Sequence, residues 1–358
     1  MRRIAHLALL PWLVTACSGQ VFGESAQSAE LPRVRLIATG GTIANRQGAR
    51  LSATELIESV PALERYARPE AEQFANVTSG ALTLNQFAQL ARRINELFDR
   101  RSDLQGIVVS SGTDTLEELA YFLHLTVRSD RPVVVVGSMR APEAPGYDGV
   151  TNLLQGFRVA ADPASRGRGV LVVLNNEINS ARDVTKTNAQ RLQTFGSRDY
   201  GLLGVVDADR VVYYRRVDRR HTSTSEFDVT RIDGLPRVDI LLVYQDASGD
   251  LIRAAADAGA KGLVVASAGA GAISGTQREA ILQMLDRGIP VVLSTRTGSG
   301  RVPTPVPGAV AEDPDSIGWS PNRIAGEDLA PVKARILLML ALTRTRDGRA
   351  IQRMFMEY

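Results

Sequence analysis

The chain has 358 residues, 44% hydrophobic and 23% charged, which excludes a disordered polymer and leaves room for two domains with substantial cores. Its formal net charge of +3 and pI near 9.2 come from arginines scattered along the chain, without a basic block interleaved with aromatics, so no nucleic-acid footprint is present. One cysteine and three separated histidines argue against a disulfide scaffold, a zinc cluster or any other metal site.

Residues 1–30 read as a leader and tether. Met1, Arg2 and Arg3 supply a positive start, and IAHLALLPWLVTA supplies an apolar stretch too short to span a bilayer as a helix. Cys17 follows in VTAC, a run that resembles a bacterial lipobox, in which the cysteine is lipidated after cleavage and becomes the mature N-terminus. The competing reading is an ordinary secretory peptide cut nearby or after AQSA. Either places the mature protein in the periplasm, as a membrane-anchored lipoprotein if Cys17 is lipidated. Residues 18–30, rich in Ser, Gly, Ala, Gln and Glu, form the tether.

Short Val- and Ile-rich runs then alternate with helical periodicity. Strands are expected at VRLIAT (34–39), GIVVSS (106–111), PVVVVG (132–137) and GVLVVLN (169–175), and helices at TLNQFAQLARRINELFDR and LEELAYFLHLTV. A polar interval at 218–237 marks a domain boundary. Beyond it, strands at VDILLVY (238–244), GLVVAS (262–267) and PVVLST (290–295) alternate with helices at TQREAILQMLDRG and VKARILLMLALTRT. Continuously apolar strands are buried on both faces, which implies parallel sheets covered by helices. The expected fold is α/β, with a parallel-sheet N-terminal domain over 31–220 and a smaller α/β C-terminal domain over 238–358.

Three polar clusters fall at strand ends of the first domain: TGGTIA (39–44), SSGTDT (110–115) and ARDVTKTN (181–188). One of Thr113, Asp114 and Thr115 is expected to cap the helix that follows. Capping needs one oxygen, and the remaining hydroxyls lie at the strand end where open α/β sheets bind ligands. Gly40 and Gly41 let the backbone turn tightly and present Thr42. Neither GxGxxG nor GxxxxGK[ST] occurs, so a phosphate loop has little support. Without GxSxG, and with His6 in the leader, His124 mid-helix and His221 between domains, a Ser–His–Asp hydrolase has little either.

TGGTIA, SSGTDTLEELAYFL, GVLVVLN, RDVTKTN and ARILLMLALTRT, in this order, resemble the bacterial type II L-asparaginases and glutaminase-asparaginases over nearly the whole mature chain. The resemblance implies an asparaginase-like fold, a homodimer or homotetramer with sites at dimer interfaces, no cofactor, and hydrolysis of a small amide, L-asparagine or glutamine. It matches Thr42 and Thr113 to two catalytic threonines, Asp114 to their paired carboxylate and Lys186 to the lysine completing the set. Ser79, in NVTSG, matches the serine that holds the substrate α-carboxylate, and Gly41, Ser111 and Gly112 line the same site. The residue types suit the reaction, because a threonine hydroxyl needs an adjacent base before it can attack a carboxamide. Lys186 is the candidate base, Asp114 would orient it and grip the substrate ammonium, and backbone N–H groups beside Gly41 or Gly112 would meet the oxyanion.

The chain also departs from the family. Ser111 stands where His is usual, and Gly80 where Gln follows the serine. After TGGTIA the family has a longer lid with a catalytic tyrosine, whereas NRQGARLSATEL runs directly into a helical pattern and no Tyr occurs before Tyr66. The glutamate and asparagine donated from regions matching RTGSGRVPTPVPG and SAGAGAISG are absent from those stretches. Two readings follow: an amidohydrolase with altered substrate or reduced rate, and a weakened homologue that binds an amino-acid-like ligand or acts as an envelope interaction protein. Retention of Thr42, Thr113, Asp114 and Lys186 favours the first.

Overall fold

The computed structural model describes residues 30–232, 234–306 and 317–358, so Cys17 and the leader lie outside the described residues. The larger sheet runs, edge to edge, Val211–Tyr213, Gly204–Val206, Glu177–Ser180, Val170–Leu174, Val133–Val136, Leu104–Ser110, Arg33–Gly40 and Arg68–Val77. From Val170–Leu174 to Arg68–Val77 all neighbours are parallel. The other three strands are added antiparallel, so the sheet is mixed. The change of direction is local: Asn175 and Asn176 both take positive φ, 53° and 65°, the geometry of a two-residue hairpin turn.

Strand periodicity divides the core into two layers. Ile107 and Val109 face a layer with Phe87, Ile94, Leu119 and Phe122, from helices Leu84–Arg100 and Leu116–Thr126. Val108 faces the opposite layer, with Val134, Val136, Leu153 and Phe157, the last two from helix Gly149–Ala161. Gly156 sets that helix close to the sheet: a Cβ there would lie 2.6 Å from a methyl of Val136. Both faces are thus covered, as the unbroken apolar runs require.

The smaller sheet orders Val238–Leu242, Gly262–Ser267, Val291–Thr295 and Arg323–Ala325, all parallel. Helices Asp250–Asp257 and Gln277–Asp286 cover one face. Helix Pro331–Leu342 is apolar nearly all round, and its residues from Ile336 to Ala341 join the same buried cluster as the Leu116–Thr126 helix. Phe227, Val229 and Ile232, from the polar interval, are buried in this cluster too. Among the described residues no helix is long and apolar enough to cross a membrane.

Candidate active site

Strands Arg33–Gly40 and Leu104–Ser110 are parallel neighbours with Ala38 opposite Ser110, so TGGT and SSGTDT leave the sheet side by side. The buried Thr39 hydroxyl donates to the Ser110 carbonyl at 2.8 Å and ties the two ends. Gly40 and Gly41 have φ of 102° and 86°. A Cβ on Gly41 would lie 2.2 Å from the Gly112 nitrogen, so the loops touch only because glycine is there. Gly112 in turn abuts Ser79, whose Oγ would be 2.9 Å from a Cβ on Gly112. The Gly41 N–H donates to the Val77 carbonyl at 2.8 Å, so this group is already engaged and is not the free oxyanion donor.

Thr42, half-buried, opens the one-turn helix Thr42–Ala44. The chain continues as a tight hairpin, Asn45–Arg46 with Ala49–Arg50, turning at Gly48 with φ 80°. Helix Ala53–Glu58 follows, capped reciprocally by Ser52 and Glu55. The stretch where the resemblance implies a longer lid is therefore a short hairpin.

Thr115 stands at the N-cap of helix Leu116–Thr126, but no side chain caps it, which corrects the capping expectation. Its backbone carbonyl starts the helix by accepting from Glu118 and Leu119, and Glu117 and Glu118 place negative charge in the first turn. Thr113 and Asp114 are consequently left to another partner. Lys186, on the short hairpin Thr185–Lys186 with Phe195–Gly196, donates from Nζ to Thr113 Oγ1 at 3.0 Å and to Asp114 Oδ1 at 2.6 Å. The lysine side chain is 14% exposed and the Asp114 side chain 82%, so the hydroxyl and amine are sheltered while the carboxylate faces solvent. Ser111, on the same loop, is buried.

Behind Lys186 is a support that sequence reasoning missed. Glu117 Oε1 accepts from the Thr185 hydroxyl at 3.0 Å and the Lys186 N–H at 3.2 Å. Lys333, fully buried, lies 4.0 Å from Glu117 Oε2 and donates to the carbonyls of Arg182, at 2.8 Å, and Val184. Burial pushes the Lys333 ammonium down to about 8, against the opposing pull of Glu117 and Asp183. Arg182 makes a two-pronged pair with Asp328 at 2.7 and 2.8 Å. Burial alone would raise the Asp328 carboxyl, but the Arg182 hydrogen bonds and charge outweigh it and hold it well below the usual range. Thus Asp328 and Lys333, from the C-terminal part, grip both sides of the segment that delivers Lys186. The available signal was a charge inside an apolar helical run, Glu117 in LEELAYFL and Lys333 in VKARILLML, since such charges are buried only when paired.

His124 is wholly buried; its Nδ1 accepts the Val170 N–H at 3.2 Å and its ring lies 5.1 Å from that of His221, so both belong to the packing. Among the described residues no cluster of His, Cys, Asp or Glu could hold a metal ion.

Comparison with known proteins shows the family along nearly the whole described chain. Residues 33–219 match the family model for the N-terminal asparaginase domain, and residues 237–355 that for the glutaminase/asparaginase C-terminal domain. L-asparaginase 2 of Bacillus subtilis is 43% identical, covering 94% of this chain and 89% of that protein. Glutaminase-asparaginase of Pseudomonas fluorescens is 39% identical, covering 94% and 93%. The crystal structure of a probable cytoplasmic L-asparaginase from Campylobacter jejuni superposes with a TM-score of 0.81 at 38% identity, over 92% of this chain and all of that one. With both family models matched in order, and with relatives of this identity along most of its length, the chain belongs to the L-asparaginase and glutaminase-asparaginase family of amidohydrolases.

Proposed function

We propose that the protein hydrolyses the side-chain carboxamide of L-asparagine to L-aspartate and ammonia, with L-glutamine as a second substrate, through a threonine nucleophile. The observation that carries this reading is the Lys186 amine held between the Thr113 hydroxyl and the Asp114 carboxylate. Thr42, on the adjoining loop, attacks the carboxamide carbon, and its oxygen becomes part of an acyl ester. Its proton passes through Thr113 and Lys186 to the departing nitrogen, and the C–N bond breaks to release ammonia. Water then attacks the ester, the same relay returns a proton to Thr42, and aspartate leaves. Asp114 meets the substrate α-ammonium and Ser79 its α-carboxylate. The names of the relatives, L-asparaginase 2 and glutaminase-asparaginase, support the pair of substrates.

Ammonia release from purified protein offered L-asparagine, L-glutamine and related amides tests the reading. Turnover of asparagine is expected, and no release from any amide would leave the ligand-binding alternative.

We also propose two structural units over 31–220 and 238–358, assembly as a homodimer or homotetramer, and export to the periplasm with anchoring through Cys17. A Haemophilus influenzae relative, 38% identical, is named a probable periplasmic L-asparaginase, which supports export. Light scattering reads the assembly. Cys17→Ser should release the protein from the membrane fraction or block its maturation, and unchanged fractionation would leave only the ordinary signal peptide.

A further inference from the structure

Thr42 sits on a single helical turn followed by a six-residue excursion of hairpin, Asn45 to Arg50, that is largely exposed. A nucleophile on so short a turn needs something to hold its open side, because a small misplacement of a reacting atom costs rate steeply. The glycine contacts fix the Gly41 side against Gly112. On the other side the loop between strand Val133–Val136 and helix Gly149–Ala161 reaches across, and the Tyr147 hydroxyl donates to the Ile43 carbonyl at 2.7 Å. Ile43 is the residue next to Thr42 in the same turn.

The loop that brings Tyr147 there is itself braced. Both Asp148 carboxylate oxygens are engaged, accepting from the N–H groups of Met139 and Arg140 at 3.0 Å each. Asn152 ties back to the Gly137 carbonyl and to Asp148, each at 3.0 Å. The Tyr147 ring packs against the apolar layer that includes Ile43 and Ala44 and lies directly over Gly149, where a Cβ would come within 2.2 Å of the hydroxyl oxygen. Burial, with the Asp148 charge beside it, raises the phenol above its ordinary value and keeps it a donor. A second contact, from Gln47 N–H to Glu143 Oε1 at 3.0 Å, fastens the hairpin tip to the same loop.

We propose that Tyr147 is a positioning residue for Thr42: its hydroxyl fixes the Thr42–Ala44 turn through the Ile43 carbonyl and so holds the Thr42 hydroxyl toward the substrate. The inference rests on the reading of Thr42 as the attacking group. It assigns to a braced side chain of the neighbouring loop the ordering of the nucleophile at a site whose own following segment is only a short hairpin.

The test compares Tyr147→Phe, which keeps the ring and removes the hydroxyl, with Thr42→Ala and with Glu143→Ala, using steady-state ammonia release from L-asparagine and thermal melting of the full chain. Tyr147→Phe should lower kcat about tenfold, the loss equivalent to one hydrogen bond, with KM within about twofold and the melting midpoint nearly unchanged. Glu143→Ala should leave kcat near wild type, because it frees the hairpin tip and not the turn. Gly149→Ala, which drives the ring off its seat, should reproduce the Tyr147→Phe loss. Thr42→Ala with undiminished kcat would remove the reading of Thr42 itself. Thr42→Ala inactive beside Tyr147→Phe at wild-type kcat would overturn the positioning role alone. So would a Tyr147→Phe effect confined to KM, or a Glu143→Ala loss as large as that of Tyr147→Phe.

Discussion

Asp328→Ala distinguishes a grip on the loop that carries Lys186 from an ordinary surface ion pair. Arg182 Nη1 and Nη2 donate to the two oxygens of Asp328 at 2.7 and 2.8 Å, and the two side chains are 4% and 9% exposed. The solvent screening that makes exposed pairs nearly worthless is therefore absent. Removing the carboxylate strands a buried guanidinium whose Nε already lacks a partner, with Asp183 at 3.4 Å as the remaining counter-charge. Breaking a buried pair this way costs about 3–5 kcal/mol, and Asp183 keeps the figure near the lower value. At roughly 2 °C per kcal/mol for a chain of this size, the melting midpoint should fall by about 6 °C. The double variant Arg182→Met, Asp328→Leu should melt above Asp328→Ala, because no unpaired charge remains. Thermal melting, with ammonia release measured well below both midpoints, reads stability and kcat together, and kcat should fall as the segment loosens. Asp328→Ala melting within about 1 °C of wild type would refute the reasoning.

Thr113→Ala and Lys186→Met should each remove nearly all amidase activity, and the double variant should be little worse, because groups acting as a unit are not additive; independent, multiplying losses would break the assignment. Lys333, held at about 8 in the fold against an ordinary value of 10.5, loses its proton before the unfolded chain does. Stability should therefore rise between those two pH values for wild type relative to Lys333→Met, by up to about 3 kcal/mol, whereas below pH 8 the difference should be flat. Denaturant titrations of both proteins at several pH values would show it, and parallel curves would refute it. Asp328 gives the same slope in the acid window: its carboxyl, held low, contributes stability above the ordinary carboxylate range that is lost on acidification, so Asp328→Asn should flatten the acid limb of the melting profile. Prolonged dialysis against a chelator should leave turnover unchanged; loss restored by a divalent ion would overturn the metal-free mechanism.

The interior strands were legible because they are continuously apolar: all seven expected strand runs fall on strands of the two sheets. What escaped was structure held by contacts rather than by pattern. Arg68–Val77 reads RPEAEQFANV, too polar for a buried strand, yet it forms an edge where Glu70 and Glu72 pair with Arg35. Helix Gly149–Ala161 begins at a glycine and contains another, and only the close seat of Gly156 on Val136 explains it. The antiparallel extension hangs on the Asn175–Asn176 turn within what looked like the end of one strand. In the site, Thr113, Asp114 and Lys186 could be grouped from their motifs, and the fold brings their side chains together. Tyr147 and Asp328 could not, because each acts on a backbone or side chain far away in sequence, and for Lys333 the sequence offered only a charge inside an apolar helical run. The missing cap on helix Leu116–Thr126 has the same origin, since Asp114 is drawn to Lys186 instead.

The central claim, an ester on a threonine with a lysine relay beside it, is tested most directly by rapid quenching of the enzyme during turnover of L-asparagine, followed by peptide mapping by mass. An aspartyl ester on Thr42 in the wild type during turnover, and its absence in Lys186→Met, where the relay is missing from the attack as well as from the hydrolysis, is the predicted result. Ammonia released at full rate with no ester on any threonine, in wild type and variant alike, would contradict the account.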